Sequence, residues 1–242
     1  MIKALIFAFQ YLTRIPIGKN IEFTKENMAN AKLFFPLVGG IIGFLTGLSI
    51  KLILPFGFQI AAISGLLVNV ILTGAFHLDG LGDMCDGFFS NLERDRVLEI
   101  MKDPRAGNFA VISLVLFLLA KFTFYSVLGL NSILILTVSG IYSRIAVLYA
   151  IELKSNSRKD GLGDFVKQSK TGNLMIVSMI IYIFFSTIFM PKLLAALIMA
   201  ILTSEIISRI SCRKIGGLTG DVYGAIVEIS ELVSIITIVV II

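Results

Sequence analysis

The sequence predicts an all-α protein, a polytopic membrane helix bundle of about seven transmembrane helices plus a short N-terminal interfacial helix, forming one domain over residues 1–242. Three observations predict it. Hydrophobic residues make up 57% of the chain and charged residues 15%, against roughly 25% charged in a soluble domain. Mean hydropathy is +0.94. Long apolar runs alternate with charged connections. A chain so composed cannot cover a water-exposed surface, which excludes a soluble enzyme, a nucleic-acid binder and a disordered tail.

The opening MIKALIFAFQYLT is too short to span and is stopped by Arg14. Lys3, Gln10 and Thr13 fall on one side of a helical wheel and Leu and Phe on the other, the pattern of a helix lying in the interface. It lacks the small-residue cleavage site of a signal peptide. A span needs about 20 mostly apolar residues. Candidates run at 33–54, 59–76, 109–129, 132–151, 174–190, 192–209 and 222–242. Gly39, Gly40, Gly43 and Gly47 stripe the first of these, as close helix packing through small residues requires.

The connections 14–32, 77–108, 152–173 and 210–221 are long and charged, whereas those near Pro55, Asn131 and Pro191 are short and nearly uncharged. This alternation places the amino terminus and the charged loops in the cytoplasm and the carboxyl terminus outside. The same bias explains the net charge of +5 without nucleic acid. Cys85 and Cys212 stand far apart and form no paired motif, so both are expected as reduced thiols.

The densest polar signal is GAFHLDGLGDMCDGFFSN, Gly74 to Asn91. Asp79, Asp83 and Asp86 are spaced by four and three, on one helical face that Ser90 continues. Like charges at that spacing repel, so the stripe calls for a counter-ion. A hard divalent cation fits, and Mg²⁺ combines one or two carboxylates with substrate phosphate oxygens. Gly80, Gly82 and Gly87 interleave the aspartates at a cost of about 1 kcal/mol each in a helix. That cost is explained if a phosphate-bearing ligand approaches the backbone. His77, the single histidine, points off the stripe and is read as structural.

Further on, EIMKDPRAGNF sets Lys102 and Arg105 around Asp103, a mixed knot suited to a metal-bound pyrophosphate. Arg94 and Arg96 stand at its rim, with surface solvation the favoured reading. The last polar loop, RKIGGLTGDVYGA, offers Gly216, Gly217 and Gly220 as a flexible turn. Its Asp221 is placed equally for helix capping or metal contact. Glu228, Glu231 and Arg144 lie inside apolar spans, and Arg144 is expected to pair with one of the two glutamates. Lys121, in the third span, could snorkel and is assigned no role.

HLDGLGDMCDGF, EIMKDPRAGNF and GGLTGDVYGA, in this order, resemble the adenosylcobinamide-GDP ribazoletransferase family, as do the opening LTRIPI and the FFPLVGG of residues 34–40. The resemblance runs nearly end to end. The chain departs from the family at Pro104 and over Gly107 to Ala110. It implies a cell-membrane enzyme that joins adenosylcobinamide-GDP to α-ribazole or its 5′-phosphate and releases GMP, with Mg²⁺ as cofactor and the bilayer as setting. On that basis Asp79, Asp83, Asp86, Asp103 and Asp221 are expected around the metal, one of the first four taking the hydroxyl proton. Lys102, Arg105, Gly80, Gly82 and Gly220 are expected at the substrate. The resemblance is compatible with association into homo-oligomers or with other enzymes of cobalamin synthesis.

Other classes fit the pattern less well, and a membrane scaffold without catalysis does not explain three unpaired aspartates on one stripe. A CDP-alcohol phosphatidyltransferase also places several aspartates on a helix at the membrane surface, but its Ala-Arg after the first Asp-Gly is missing. A transporter would gather its coupling residues near the bilayer midplane, whereas this acidic cluster sits at the loop end of a span.

Overall fold

The computed structural model describes residues 1–19, 21–158, 161–188 and 190–241. Among them the chain is helical, and its one extended contact is an isolated parallel bridge between Asn156 and Leu218. The helices are α1 (Ile2–Leu12), α2 (Lys25–Lys32), α3 (Phe35–Ile53), α4 (Phe58–Thr73), α5 (Phe76–Phe89) and α6 (Arg94–Ile100). They continue as α7 (Asn108–Val127), α8 (Ser132–Leu153), α9 (Leu162–Gln168), α10 (Asn173–Thr187), α11 (Leu194–Ile215) and α12 (Gly220–Ile241).

Five of these, α3, α7, α8, α11 and α12, are long and apolar enough to cross a membrane. Two of the seven expected spans differ. The segment expected at 59–76 is the 16-residue α4, which bends by 90° into α5. That expected at 174–190 is the 15-residue α10, bent by 100° from α9. The seven spans are reached only by counting each bent pair as one. Backbone conformation causes the first bend: Gly74 (φ 63°) and Ala75 (φ 58°) are both left-handed, which ends one helix and starts another on a new axis. Residue 189 and the last residue, 242, both within expected spans, lie outside the described residues.

Helix α3 lies along α8 in the most extensive pairing of the bundle. The glycine stripe makes it possible. A Cβ at Gly43 would stand 2.0 Å from the Leu136 carbonyl oxygen, and one at Gly39 2.2 Å from that of Gly140. Around this pair, α7 and α10 show their apolar side chains outward: Leu116, Leu119, Ile180 and Phe185 are all exposed. Lipid tails are the solvent that suits such a surface.

On its inner face α7 buries Lys121 and Tyr125. Lys121 does not snorkel. Its Nζ lies 2.7 Å from Glu228 and 3.2 Å from Glu231, while Arg144 reaches Glu231 at 2.8 Å. Arg144 thus takes Glu231 of its two expected partners. Two cations and two anions cancel between α7, α8 and α12, as burial requires.

All the charged connections gather at one end, where α4, α8 and α11 finish and α7 and α12 begin. Helix α5 lies across this polar end, its Gly80 against Asp221 of α12 and its Gly82 against Ala110 and Leu114 of α7. Helix α1 packs on α2 and α3 and buries Phe7, Ala8 and Leu12.

The glycine seam yields a direct test. Gly43→Ala forces α3 and α8 apart and is expected to cost about 1–3 kcal/mol, the usual range for overpacking. Gly18→Ala, whose Cβ would meet nothing within 4 Å, is expected to be silent. Thermal unfolding of the detergent-solubilised variants compares the two.

Candidate functional site

The polar end owes its layout to the elbow between α4 and α5. The Arg14 backbone N–H donates to the Leu72 carbonyl at 2.7 Å, satisfying one of the last carbonyls of α4. The Arg14 side chain then lies where a Gly74 Cβ would project, 2.4 Å from it. From this elbow α5 carries Asp79 exposed, Asp83 half-buried and Asp86 buried. The helical stripe read from the spacing is present, but its members turn to different surroundings.

Asp86 is occupied by the protein itself. Its two carboxylate oxygens accept from the backbone N–H groups of Gly107 (2.6 Å) and Ala110 (2.8 Å), at the N-terminus of α7. A carboxylate there satisfies otherwise unpaired donors and meets the positive end of the helix dipole. Glycine at 107 permits the approach, since a Cβ would stand 2.6 Å from Asp86 Oδ1.

The 102–105 knot stands apart. Asp103 accepts from Arg105 Nε at 2.9 Å and Nη2 at 2.7 Å. These hydrogen bonds hold its carboxyl well below the usual range, at about 2. Lys102 and Arg105 are exposed. Arg94 is a strut, with Nε on the Ile215 carbonyl at 2.9 Å and Nη2 on that of Ser157 at 3.1 Å. Arg96 pairs with Glu99 on the surface. Gly82 and Gly87 face other helices, Gly82 against Leu114 and Gly87 against Met101. None of these residues lines the cavity described next.

That cavity, of about 220 Å³, opens between α5, the start of α12 and the segment that follows α8. Asp79 and Gly80 line it from one side and Thr219, Gly220 and Asp221 from another. The structure therefore brings Asp79, Gly80, Gly220 and Asp221 together. Asp221 does not cap α12, because the Val222 N–H donates to the Thr219 hydroxyl. The third wall holds Asn156, Arg158, Gly161, Gly163 and Asp164, none of which the motif reading singled out.

A short zipper fixes this third wall. Ser157 N–H donates to the Leu218 carbonyl and Leu218 N–H to that of Ser155, both at 2.9 Å. Only glycine at 217 lets the two strands meet, its Cβ position being 2.5 Å from the Asn156 carbonyl carbon. Tyr223 donates to Asn156 Oδ1 at 2.7 Å, and Asn156 donates to Asp164 at 3.2 Å. Arg158 Nη2 donates to the Leu98 carbonyl at 2.8 Å, and its buried Nε has no partner among the described residues. A sequence signal for this wall did exist. The pentapeptide DGLGD stands at 79–83 and again at 160–164, and residues from both copies line the cavity. Position 160 itself lies outside the described residues.

Two further voids adjoin the cavity at Phe76 and Leu162, which line all three. One is a small apolar pocket of about 50 Å³. The other is an aromatic groove of about 540 Å³ beside α1, which includes Tyr11, Arg14 and Phe23.

Asp83 senses the whole arrangement. Burial, and then the charges of Asp79, Asp221 and Asp86, push its carboxyl up to about 7. A divalent cation would relieve that repulsion. Among the described residues, no three of His, Cys, Asp or Glu come close enough to form a complete protein cage. The donor set nevertheless fits Mg²⁺, which takes one or two carboxylates and fills its shell with water and phosphate. Asp79 and Asp221 offer two hard oxygen donors in one cavity.

These assignments separate experimentally. Asp86→Ala strands two backbone donors and is expected to destabilise the protein by about 1–3 kcal/mol, a loss that Mg²⁺ does not restore in thermal unfolding. For Asp83 the raised value means that the folded protein holds a proton which the unfolded chain releases near pH 4. Its stabilising contribution is complete below about pH 4 and is lost as pH rises through about 7. In EDTA the melting temperature should fall across that window, and Asp83→Asn should flatten the fall.

The chain is similar to known proteins over nearly its whole length. Residues 4–239 match the family model described as cobalamin-5-phosphate synthase. The adenosylcobinamide-GDP ribazoletransferase of Treponema denticola is 36% identical over 248 residues, covering 95% of each chain. That of Clostridium kluyveri is 35% identical, covering 96% of this chain and 94% of its own. That of Clostridium botulinum strain Loch Maree is 35% identical, covering 94% and 93%. No solved structure matches. By a match that runs nearly end to end, the chain belongs to the cobalamin-5-phosphate synthase family.

Proposed function

We propose that this protein transfers the cobinamide phosphate of adenosylcobinamide-GDP to α-ribazole or α-ribazole 5′-phosphate, with release of GMP and dependence on Mg²⁺. One observation carries the reading: Asp79, Arg158 and Asp221, from three separate parts of the chain, line a single cavity at the polar end. A membrane protein gains little stability by lining one small void with three carboxylates, Asp164 among them, and a guanidinium. A pyrophosphate with its metal gives that arrangement a purpose.

A ribose hydroxyl attacks the phosphorus that carries cobinamide. The new P–O bond forms as the bond to GMP breaks, and GMP leaves with the bridging oxygen. Arg158 binds the phosphate oxygens, where a guanidinium fork suits their geometry. Asp83 accepts the hydroxyl proton, its carboxyl being raised to about 7, the range favourable to a general base. Asp79 and Asp221 would hold Mg²⁺, which when bound would supply charge neutralisation on the transferring phosphoryl group. The aromatic groove beside α1 accommodates the bulk of the corrinoid. The polar end faces the cytoplasm, because basic connecting segments are retained there.

The test uses purified protein in detergent or liposomes with adenosylcobinamide-GDP, α-ribazole and Mg²⁺. Cobamide and GMP are expected to appear in equal amounts and to be lost with EDTA. Asp83→Asn is expected to lower kcat by about 10²–10⁴-fold and Arg158→Met by about 10²–10³-fold, both with normal membrane insertion. Absence of turnover with either ribazole form, in a folded sample, removes the reading.

A further inference from the structure

The motif LTRIPI, residues 12–17, has no part in the reaction above, yet its arginine sits at the elbow between α4 and α5. Besides the backbone bond to Leu72, the Arg14 side chain is laid over Gly74. A Cβ at Gly74 would stand 2.4 Å from both Cγ and Nε of Arg14 and 3.0 Å from Cδ. Gly74 is left-handed (φ 63°) and carries no side chain, so it gives room to the arginine stem and fixes where the guanidinium emerges. On one side of Gly74 stands Thr73, which lines the aromatic groove. Two residues on is Phe76, which lines the groove and the cavity of Asp79 and Asp221 alike. Arg14 itself lines the groove and is exposed.

Among the described residues that line the groove, Arg14 is the one with a charge. Its polar neighbours there are engaged by the protein. Gln10 donates to the Ile17 carbonyl at 3.1 Å and to that of Lys19 at 2.6 Å. The Thr13 hydroxyl donates to Phe9 at 2.7 Å and that of Thr73 to Asn69 at 2.9 Å. Of the arginines on the three adjoining voids, Arg144 donates to Glu231 and Arg158 to the Leu98 carbonyl. Arg14 has no side-chain hydrogen bond or ion pair among the described residues. The cavity next to it is short of positive charge. Asp79, Asp164 and Asp221 face one guanidinium, that of Arg158, and a bound Mg²⁺ would bring these groups only to neutrality. A diphosphate diester adds two negative charges, and beside apolar walls these call for cations.

We propose that Arg14 binds the phosphate that carries cobinamide, at the junction where the groove meets the cavity. The assignment rests on the transferase reading above. A guanidinium suits the task because its planar fork holds two phosphate oxygens at once. The donor diphosphate is then held from two parts of the chain, by Arg158 after α8 and by Arg14 after α1. The elbow gains a second consequence: the left-handed glycine that turns α4 into α5 also seats the cation that meets the substrate.

Equilibrium dialysis of the full-length protein in detergent with Mg²⁺, read by corrinoid absorbance, provides the test. Its three probes are adenosylcobinamide, adenosylcobinamide phosphate and adenosylcobinamide-GDP. Arg14→Met keeps an apolar stem over Gly74 and removes the charge. It is expected to weaken binding of the two phosphorylated probes by about 10–100-fold and to leave adenosylcobinamide unchanged. Arg14→Lys should recover part of the loss, and GMP alone should shift the melting temperature of Arg14→Met as it does that of the wild type. Arg14→Gln replaces Arg14→Met if the latter loses its unliganded melting temperature. Equal affinity of wild type and variant for the phosphorylated probes overturns the proposal. So does an equal loss with all three probes, which would make Arg14 a contact of the corrin ring, or a loss confined to GMP. A wild type that binds the phosphorylated probes no better than adenosylcobinamide overturns it too. Turnover to cobamide and GMP is scored separately. Wild-type turnover with unaltered binding in Arg14→Met removes the role of Arg14 alone, whereas a phosphate-selective loss without wild-type turnover removes the reaction alone.

Discussion

The elbow at Gly74 and Ala75 is the constraint on which the rest of the polar end depends. Two successive left-handed residues turn α5 through 90° from α4, and a left-handed non-glycine residue such as Ala75 costs roughly 1–2 kcal/mol. If the helix ran straight on, the aspartates would be carried away from the bundle. Bent, α5 lies over the first turns of α7 and α12, and contacts made there hold it. Gly80 rests on Asp221 and Asp86 caps α7. The strain at the elbow is offset by packing that also assembles the cavity.

Charge is managed differently at two depths. Within the spans Lys121, Arg144, Glu228 and Glu231 neutralise one another in fixed geometry. At the polar end the carboxylates are left in excess, and the value of Asp83, raised first by burial, is raised further by the charges of Asp79, Asp221 and Asp86. A fold able to pair four charges inside the bilayer had the means to pair these as well. That it leaves Asp79 and Asp221 around a void, with Asp83 one turn further along α5, is consistent with a charge balance completed by a ligand.

Much of this was legible in the sequence, for reasons that differ by residue. Hydropathy and the glycine stripe of α3 revealed the bundle and the face on which α3 packs closely, though not its partner α8, because spacing alone determines which face a small residue occupies. The DGLGDMCDG stripe pointed to α5, whose Asp79 and Gly80 form one wall of the candidate cavity. It could not tell that Asp86 serves a helix cap, since the N–H groups of Gly107 and Ala110 lie more than twenty residues on. The straight reading of 59–76 missed the elbow because periodicity carries no information about a left-handed alanine. Arg158 and Asp164 went unnoticed in a charged connection that composition alone reads as solvated. The second DGLGD was the one local clue to them.

Location of a bound ion tests this account most directly. A structure of the protein with Mn²⁺ in place of Mg²⁺ and with adenosylcobinamide-GDP, solved with anomalous data, would place the metal without reference to activity. The account predicts Mn²⁺ on the carboxylates of Asp79 and Asp221, with a phosphate turned toward Arg158. An ion held instead by Asp103 in the exposed 102–105 loop, or by Asp86 with the cap on α7 undone, would contradict it.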